Sequence, residues 1–158
     1  MKAGRIAELA GVTEGNFAPV NASDMSTKAN ADIYVLGDAS QQGDMPKSGF
    51  SANSQAKVCA NAVRGSLTGS KVFPAKFSNT CWSLVHENDG IKVGATYKAT
   101  AEKSAKVDGF ISATNESAEL RKATYEESEG WYAGCLLYTS PSPRYLSTSR
   151  MPSSACKK

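Results

Sequence analysis

A single histidine, His86, stands in 158 residues, and the four cysteines include no C-x-x-C pair. Structural zinc and haem attachment both need such spacings, so neither is expected here. Apolar runs are short, and none approaches the ~18 residues that a membrane span requires. The first stretch, MKAGRIAELAG, lacks the long apolar segment of a secretory leader; Ala3, Ile6, Leu9 and Ala10 fall instead at helical spacing. No internal repeat is visible. Residues 1–134 contain no G-x-G-x-x-G, the fingerprint that cradles a dinucleotide diphosphate.

What is present can still bury a core, since 41% of the residues are hydrophobic. The formal charge of +3 hints at an acidic partner, but its distribution removes the hint. Residues 135–158 hold Arg144, Arg150, Lys157 and Lys158 and no acid, which leaves residues 1–134 with 14 basic and 15 acidic groups. Nucleic acid is therefore not an expected partner. The tail itself, CLLYTSPSPRYLSTSRMPSSACKK, is rich in Ser and Pro and has no sustained period, the composition of a disordered extension. Its wording resembles the conceptual translation of a sequencing-library adapter: CLLYTSPSPR, a spacer where an index would lie, then SRMPSSA. The native fold is expected to end near residue 134. Cys135 and Cys156 go with the tail, and Cys59 and Cys81 remain.

Along residues 1–134, GVTEGNFAPVNASDMSTKANA reads as a polar loop leading into a strand at Ile33, Tyr34, Val35 and Leu36. A short continuous apolar run of this kind is the pattern of a strand buried on both faces. It stops at Gly37 and Asp38. Ala52, Gln55, Ala56, Cys59, Ala60, Val63 and Leu67 then lie three and four residues apart, marking a helix from about Ser48 to Leu67 that ends at Gly65 and Gly69. TCWSLVHENDGIKVGATYKA alternates on both sides of Asn88, Asp89 and Gly90, an antiparallel hairpin signal. NESAELRKATYEESEGWYAG offers Asn115 as the N-cap of a last helix. These elements are too few for a doubly wound domain, so the chain reads as the end of something larger.

Gly37 and Asp38 admit two readings. Gly-Asp is ordinary turn chemistry. Beyond the carboxyl end of a sheet strand, however, a glycine lets backbone approach a ligand and an aspartate offers acceptors to a hydroxyl. Cys81, taken alone, is a small buried hydrophobe in an alternating strand, as Cys59 is on its helix face. His86, next to a turn, reads as a solvated side chain.

The stretches ADIYVLGDAS, MPKSGFSANSQAKV, SNTCWSLV and EGWYAG, in that order, resemble the C-terminal third of the flavoprotein subunit of flavocytochrome c sulfide dehydrogenases. The resemblance covers residues 1–134. It implies an α+β fragment of an α/β, glutathione-reductase-like flavoprotein: residues 1–70 as the end of the FAD-binding domain, and residues 71–134 as an antiparallel, flavin-facing interface domain. The implied activity is periplasmic oxidation of sulfide, with electrons passing through FAD to a cytochrome c subunit. The implied cofactor contacts are Gly37 and Asp38 at the ribityl chain, Lys47, Ser48 and Gly49 at the helix start facing the flavin pyrimidine, and Trp131 packed near the flavin. The positive end of that helix would favour the charge that builds on reduced flavin. Cys81 matches one partner of a redox-active disulfide, the other lying upstream of this chain, and no metal is implied. With no diphosphate fingerprint, the chain alone is expected to be inactive. A cytochrome-docking module without redox chemistry, and a quinone-reducing relative, are the alternative readings.

Overall fold

In the computed structural model of the chain, residues 2–139 are described, with side chains through Gly134. The elements in order are α1 (Arg5–Leu9), β1 (Ala18–Pro19), a 3₁₀ turn (Gly37–Ala39), β2 (Ser40–Gln41), α2 (Gly49–Thr68), β3 (Lys76–His86), β4 (Asp89–Ala99), β5 (Ser104–Ile111) and α3 (Ala118–Thr139). The chain divides into two compact units: Met1–Ser83 with Lys92–Asn115, and Leu84–Ile91 with Glu116–Lys158.

The first unit is organised around a small core of Val20, Met25, Met45, Cys59, Phe77, Ala95 and Tyr97. A second cluster gathers Ala7, Val12 and Ala18. The apolar run Ile33–Leu36 was expected to be a strand buried on both faces, and it is not one. Its four side chains are half-buried, and its ladder is a lone bridge between Tyr34 and Ser26. The reason is packing: Tyr34, Val35 and Leu36 lie against the first cluster, while Ile33 and Val35 also lie against the second. An apolar run wedged between two clusters satisfies its side chains without a neighbouring strand. Its backbone is held by the Val35 amide on the Met25 carbonyl (3.1 Å) and the Thr27 amide on the Ile33 carbonyl (2.7 Å).

Helix α2 forms where its local signals place it. Ser48 is the N-cap, with its Oγ accepting the Ser51 amide at 3.1 Å, and Gly69 closes the helix in the left-handed conformation. The buried stripe differs from the expected one. Ser51, Ser54, Gln55, Cys59 and Gly65 are buried, whereas Ala60 is exposed and Leu67 is 81% exposed. The first turns of α2 therefore bury hydroxyls and an amide, groups that need partners.

Strands β3, β4 and β5 form one sheet in that order. The turn of the expected hairpin is Glu87–Asn88, with Asn88 at φ 58°, so Asp89 and Gly90 already belong to β4. Strand β5 was not anticipated; it pairs antiparallel with β4 from Val93↔Ile111 to Ala99↔Ser104, with a bulge at Thr96/Tyr97. Gly94 permits close packing at the centre of the sheet. A Cβ there would lie 2.4 Å from the Asn79 carbonyl oxygen and 2.4 Å from Phe110 Cζ.

In the second unit, α3 starts from Ser117 rather than from Asn115. The Ser117 hydroxyl accepts the Leu120 amide at 3.3 Å, and its carbonyl accepts the Arg121 amide at 3.0 Å. Arg121 pairs with Asp89 at the hairpin tip, and Gly90 lies against the α3 backbone, where an added Cβ would be 2.9 Å from the Tyr125 nitrogen. The helix runs on to Thr139, past the expected tail boundary at residue 135; the rest of that tail, 140–158, lies outside the described residues. Among the described residues, no helix is long and apolar enough to cross a membrane.

Candidate functional site

The site is built in the first unit from the Gly37–Ala39 turn, the start of α2 and the first half of β3. Gly37 takes φ 69°, which a side chain would resist, and its amide donates to Gln55 Oε1 at 2.7 Å. Its carbonyl accepts the Ser40 hydroxyl at 2.8 Å. Gln55 in turn donates to Gln42 Oε1 at 2.7 Å, and Gln42 donates to the Pro46 carbonyl at 2.7 Å. This chain of amides pins the turn to the flank of α2 and leaves Asp38 exposed at its tip.

Lys47 ties the same two pieces together at the helix start. Its ammonium donates to the carbonyls of Asp38 and Ser40, each at 2.7 Å, and lies 4.0 Å from the centre of the Phe17 ring. Burial pulls its pKa down, with the charge of Asp38 opposing that shift. The structure thus gives Lys47 backbone oxygens and an aromatic face. Ser48 follows as the cap and Gly49 is exposed beside it. The first amides of a helix have no intrahelical acceptor, so the Gly49 amide is a donor on the rim of the α2 start; Asp38 is an exposed acceptor on the turn that Lys47 ties to it.

Cys81 joins this rim through Asn79. Asn79 is only 4% exposed, and its Oδ1 accepts the hydroxyls of Ser48 and of Ser51, the latter at 3.1 Å. Its Nδ2 donates to Cys81 Sγ at 3.4 Å. Residues two apart on a strand share a face, so Asn79 and Cys81 look the same way and α2 meets that face with its first turn. The Cys81 thiol is free and half-buried. Across on β4, burial first and the neighbouring sulfur second push the Tyr97 phenol up.

Of the residues singled out in the sequence, Gly37, Asp38, Lys47, Ser48, Gly49 and Cys81 all fall in this first unit. Trp131 falls on α3 in the second unit, half-buried. Cys59 is a core residue, and burial pushes its thiol up. His86 is exposed beside the hairpin turn. Among the described residues, no group of three or more His, Cys, Asp or Glu side chains could hold a metal ion. Asn79, Gln55 and Gln42 are the positions whose roles sequence reasoning missed. The available signal was the polar triplet Ser51, Ser54 and Gln55 on one helical face, which a purely apolar stripe does not contain.

Residues 74–136 match the family model described as flavocytochrome c sulphide dehydrogenase, flavin-binding. The match takes in Asn79, Cys81 and Trp131, and it agrees with the resemblance carried by SNTCWSLV and EGWYAG. The cofactor of that family is a flavin, consistent with FAD, and the family is one of flavin-dependent oxidoreductases.

Proposed function

We propose that this chain is the flavin-contacting C-terminal part of a FAD-dependent, sulfide-oxidising flavoprotein of glutathione-reductase-like fold, acting in the periplasm and delivering electrons to a cytochrome c subunit. The observation that carries the reading is the Asn79 amide, which links the first turn of α2 to the Cys81 sulfur. A partner-docking surface has no need of a buried amide between a helix cap and a half-buried thiol.

The residues fit the cofactor. Asp38, exposed on a turn whose backbone is fixed by Gln55 and Lys47, is free to accept a ribityl hydroxyl. The α2 start, capped by Ser48 and opened by the side-chain-free Gly49, suits the pyrimidine edge of an isoalloxazine. FAD supplies the capacity to accept an electron pair and release it one electron at a time. Cys81 would be one half of a disulfide. Attack by sulfide on one of its sulfurs forms the S–S bond of a persulfide and releases the other sulfur as a thiolate. The diphosphate cradle would come from another part of the flavoprotein, so the chain alone is inactive. A quinone-reducing relative shares the site chemistry, and a cytochrome-docking module does not.

The test is sulfide-dependent bleaching of the flavin band in the flavin-loaded flavoprotein, followed by stopped flow, with flavin occupancy measured first. Cys81→Ser should abolish bleaching and leave the bound-flavin spectrum intact, because serine keeps the volume but forms no disulfide. Bleaching at the parental rate in that variant would refute the redox assignment. Adding oxidised cytochrome c or a quinone to the reduced protein then separates the two acceptors.

A further inference from the structure

We propose that Asn79 is a positioning residue that holds the Cys81 sulfur as a hydrogen-bond acceptor, favouring its thiolate form, and ties it to the capped start of α2. The inference rests on the reading of Cys81 as the reactive sulfur, and it assigns the control of that sulfur.

The orientation of the Asn79 amide follows from its partners. Ser48 Oγ already accepts the Ser51 amide at 3.1 Å, so its proton is available to donate, and it donates to Asn79 Oδ1. Ser51 Oγ donates to the same oxygen at 3.1 Å. Two hydroxyl donors on one end of a side-chain amide direct the other end, the NH₂, away from them. That end meets Cys81 Sγ at 3.4 Å. The opposite arrangement, a thiol donating to Oδ1, is stretched to 4.0 Å. A donor aimed at sulfur interacts weakly with a thiol and much better with a thiolate, where the bond is charge-assisted. The amide has little room to turn, because Asn79 is 4% exposed.

The other groups facing the sulfur do not supply this donor. Ser48 and Ser51 on α2 are uncharged and spend their protons on Asn79 Oδ1. Tyr97 on β4, whose phenol is pushed up by burial, then by the sulfur, then by Asp44, is coupled to the sulfur by charge and not by a hydrogen bond. The thiolate is the form that attacks a disulfide and the form that leaves one, so a residue that favours it sets both directions of exchange.

The experiment measures iodoacetamide alkylation of Cys81 in the 158-residue chain, with the modified peptide quantified by mass spectrometry at pH 7.0 and at pH 9.5. It uses no sulfide and no flavin, so its outcome is independent of whether sulfide is the substrate. Asn79→Asp keeps an acceptor for Ser48 and Ser51 but presents an oxygen to the sulfur. Its Cys81 should react about tenfold more slowly than the parent's at pH 7.0, the size of one charge-assisted hydrogen bond. Asn79→Ala should slow it by a smaller factor. At pH 9.5 the variant and parental rates should converge, because ionisation rather than access has been altered. Parental rates in Asn79→Asp at pH 7.0 would overturn the proposal. So would a ratio that persists unchanged at pH 9.5, or faster alkylation accompanied by a lowered unfolding temperature, the pattern of an asparagine that only supports the fold.

Discussion

The amide of Gly37 donates to Oε1 of Gln55 at 2.7 Å, across 18 residues of chain, and Gln55 is itself 0% exposed. A glycine in the left-handed region and a buried glutamine on a helix flank are each costly alone: one loses chain entropy, the other loses water. Together they satisfy each other. The Gln55 NH₂ passes on to Gln42, so the turn that presents Asp38 is locked by a relay of side-chain amides.

Gln55→Leu should therefore cost more than an ordinary helix substitution. It leaves the Gly37 amide buried without its partner, a cost of about 1 to 3 kcal/mol, while the Gln42 oxygen loses one donor and keeps the Ser40 hydroxyl at 3.1 Å. Urea unfolding followed by circular dichroism measures it. A loss below about 0.5 kcal/mol would show that water replaces the relay.

The boundaries of α2 were legible because caps are local: Ser48 and Gly69 act on residues within one turn of themselves. The strand at 33–36 misled because a continuous apolar run specifies burial on several sides, and two small clusters supply that as well as a sheet does. Strand β5 was illegible because Asp108 and Gly109 break its alternation, and because Val107 and Ile111 are exposed, at 59% and 77%. Cys81 could be singled out by resemblance. Asn79 could not, since its meaning comes from hydroxyls 31 and 28 residues away. The fixing of Lys47 by backbone carbonyls was equally invisible, for a lysine at a helix start reads first as a free charge.

The second unit should be acid-sensitive at Asp89. Its hydrogen bond to Arg121, ahead of the coulombic attraction, holds its carboxyl below the usual value of 3.8, with burial opposing. A carboxyl whose folded pKa is depressed contributes stability that is present above the unfolded pKa and lost as pH falls through the folded one. The contact between the hairpin tip and α3 should thus weaken below about pH 4, faster in the parent than in Arg121→Met, whose starting stability is lower. Amide hydrogen exchange of Gly90 and Tyr125 across pH 5 to 2.5 reads it. Identical pH profiles for parent and variant would remove the ion pair from the account.

Flavin binding separates the two readings of the Gly-Asp turn. The chain alone should not retain FAD through dialysis, because it has no G-x-G-x-x-G to cradle the diphosphate. In the complete flavoprotein, Asp38→Ala should weaken retention by ~1 to 3 kcal/mol, the range for one or two hydrogen bonds. Fluorescence of released flavin measures both. Stoichiometric, tight binding by the chain alone, or unchanged retention in Asp38→Ala, would return Gly37 and Asp38 to the status of a plain turn.

Gly94→Ala probes the coupling between sheet packing and the sulfur. The added Cβ would stand 2.4 Å from the Asn79 carbonyl oxygen on β3 and 2.4 Å from Phe110 Cζ on β5. The Phe110 ring is 46% exposed and has room to rotate outward; the Asn79 carbonyl is backbone and can move only if the strand moves. Overpacking of this kind costs about 1 to 3 kcal/mol, and Phe110→Ala in the same chain should recover only the ring's share. The displaced strand carries the Asn79 side chain with it, so its bonds to Ser48, Ser51 and Cys81 are disturbed together. Alkylation of Cys81 at neutral pH should therefore slow in Gly94→Ala and stay slow in the double variant, even where stability is partly regained. Full recovery of both stability and alkylation on removing Phe110 would mean that the ring, and not the Asn79 backbone, is what Gly94 makes room for.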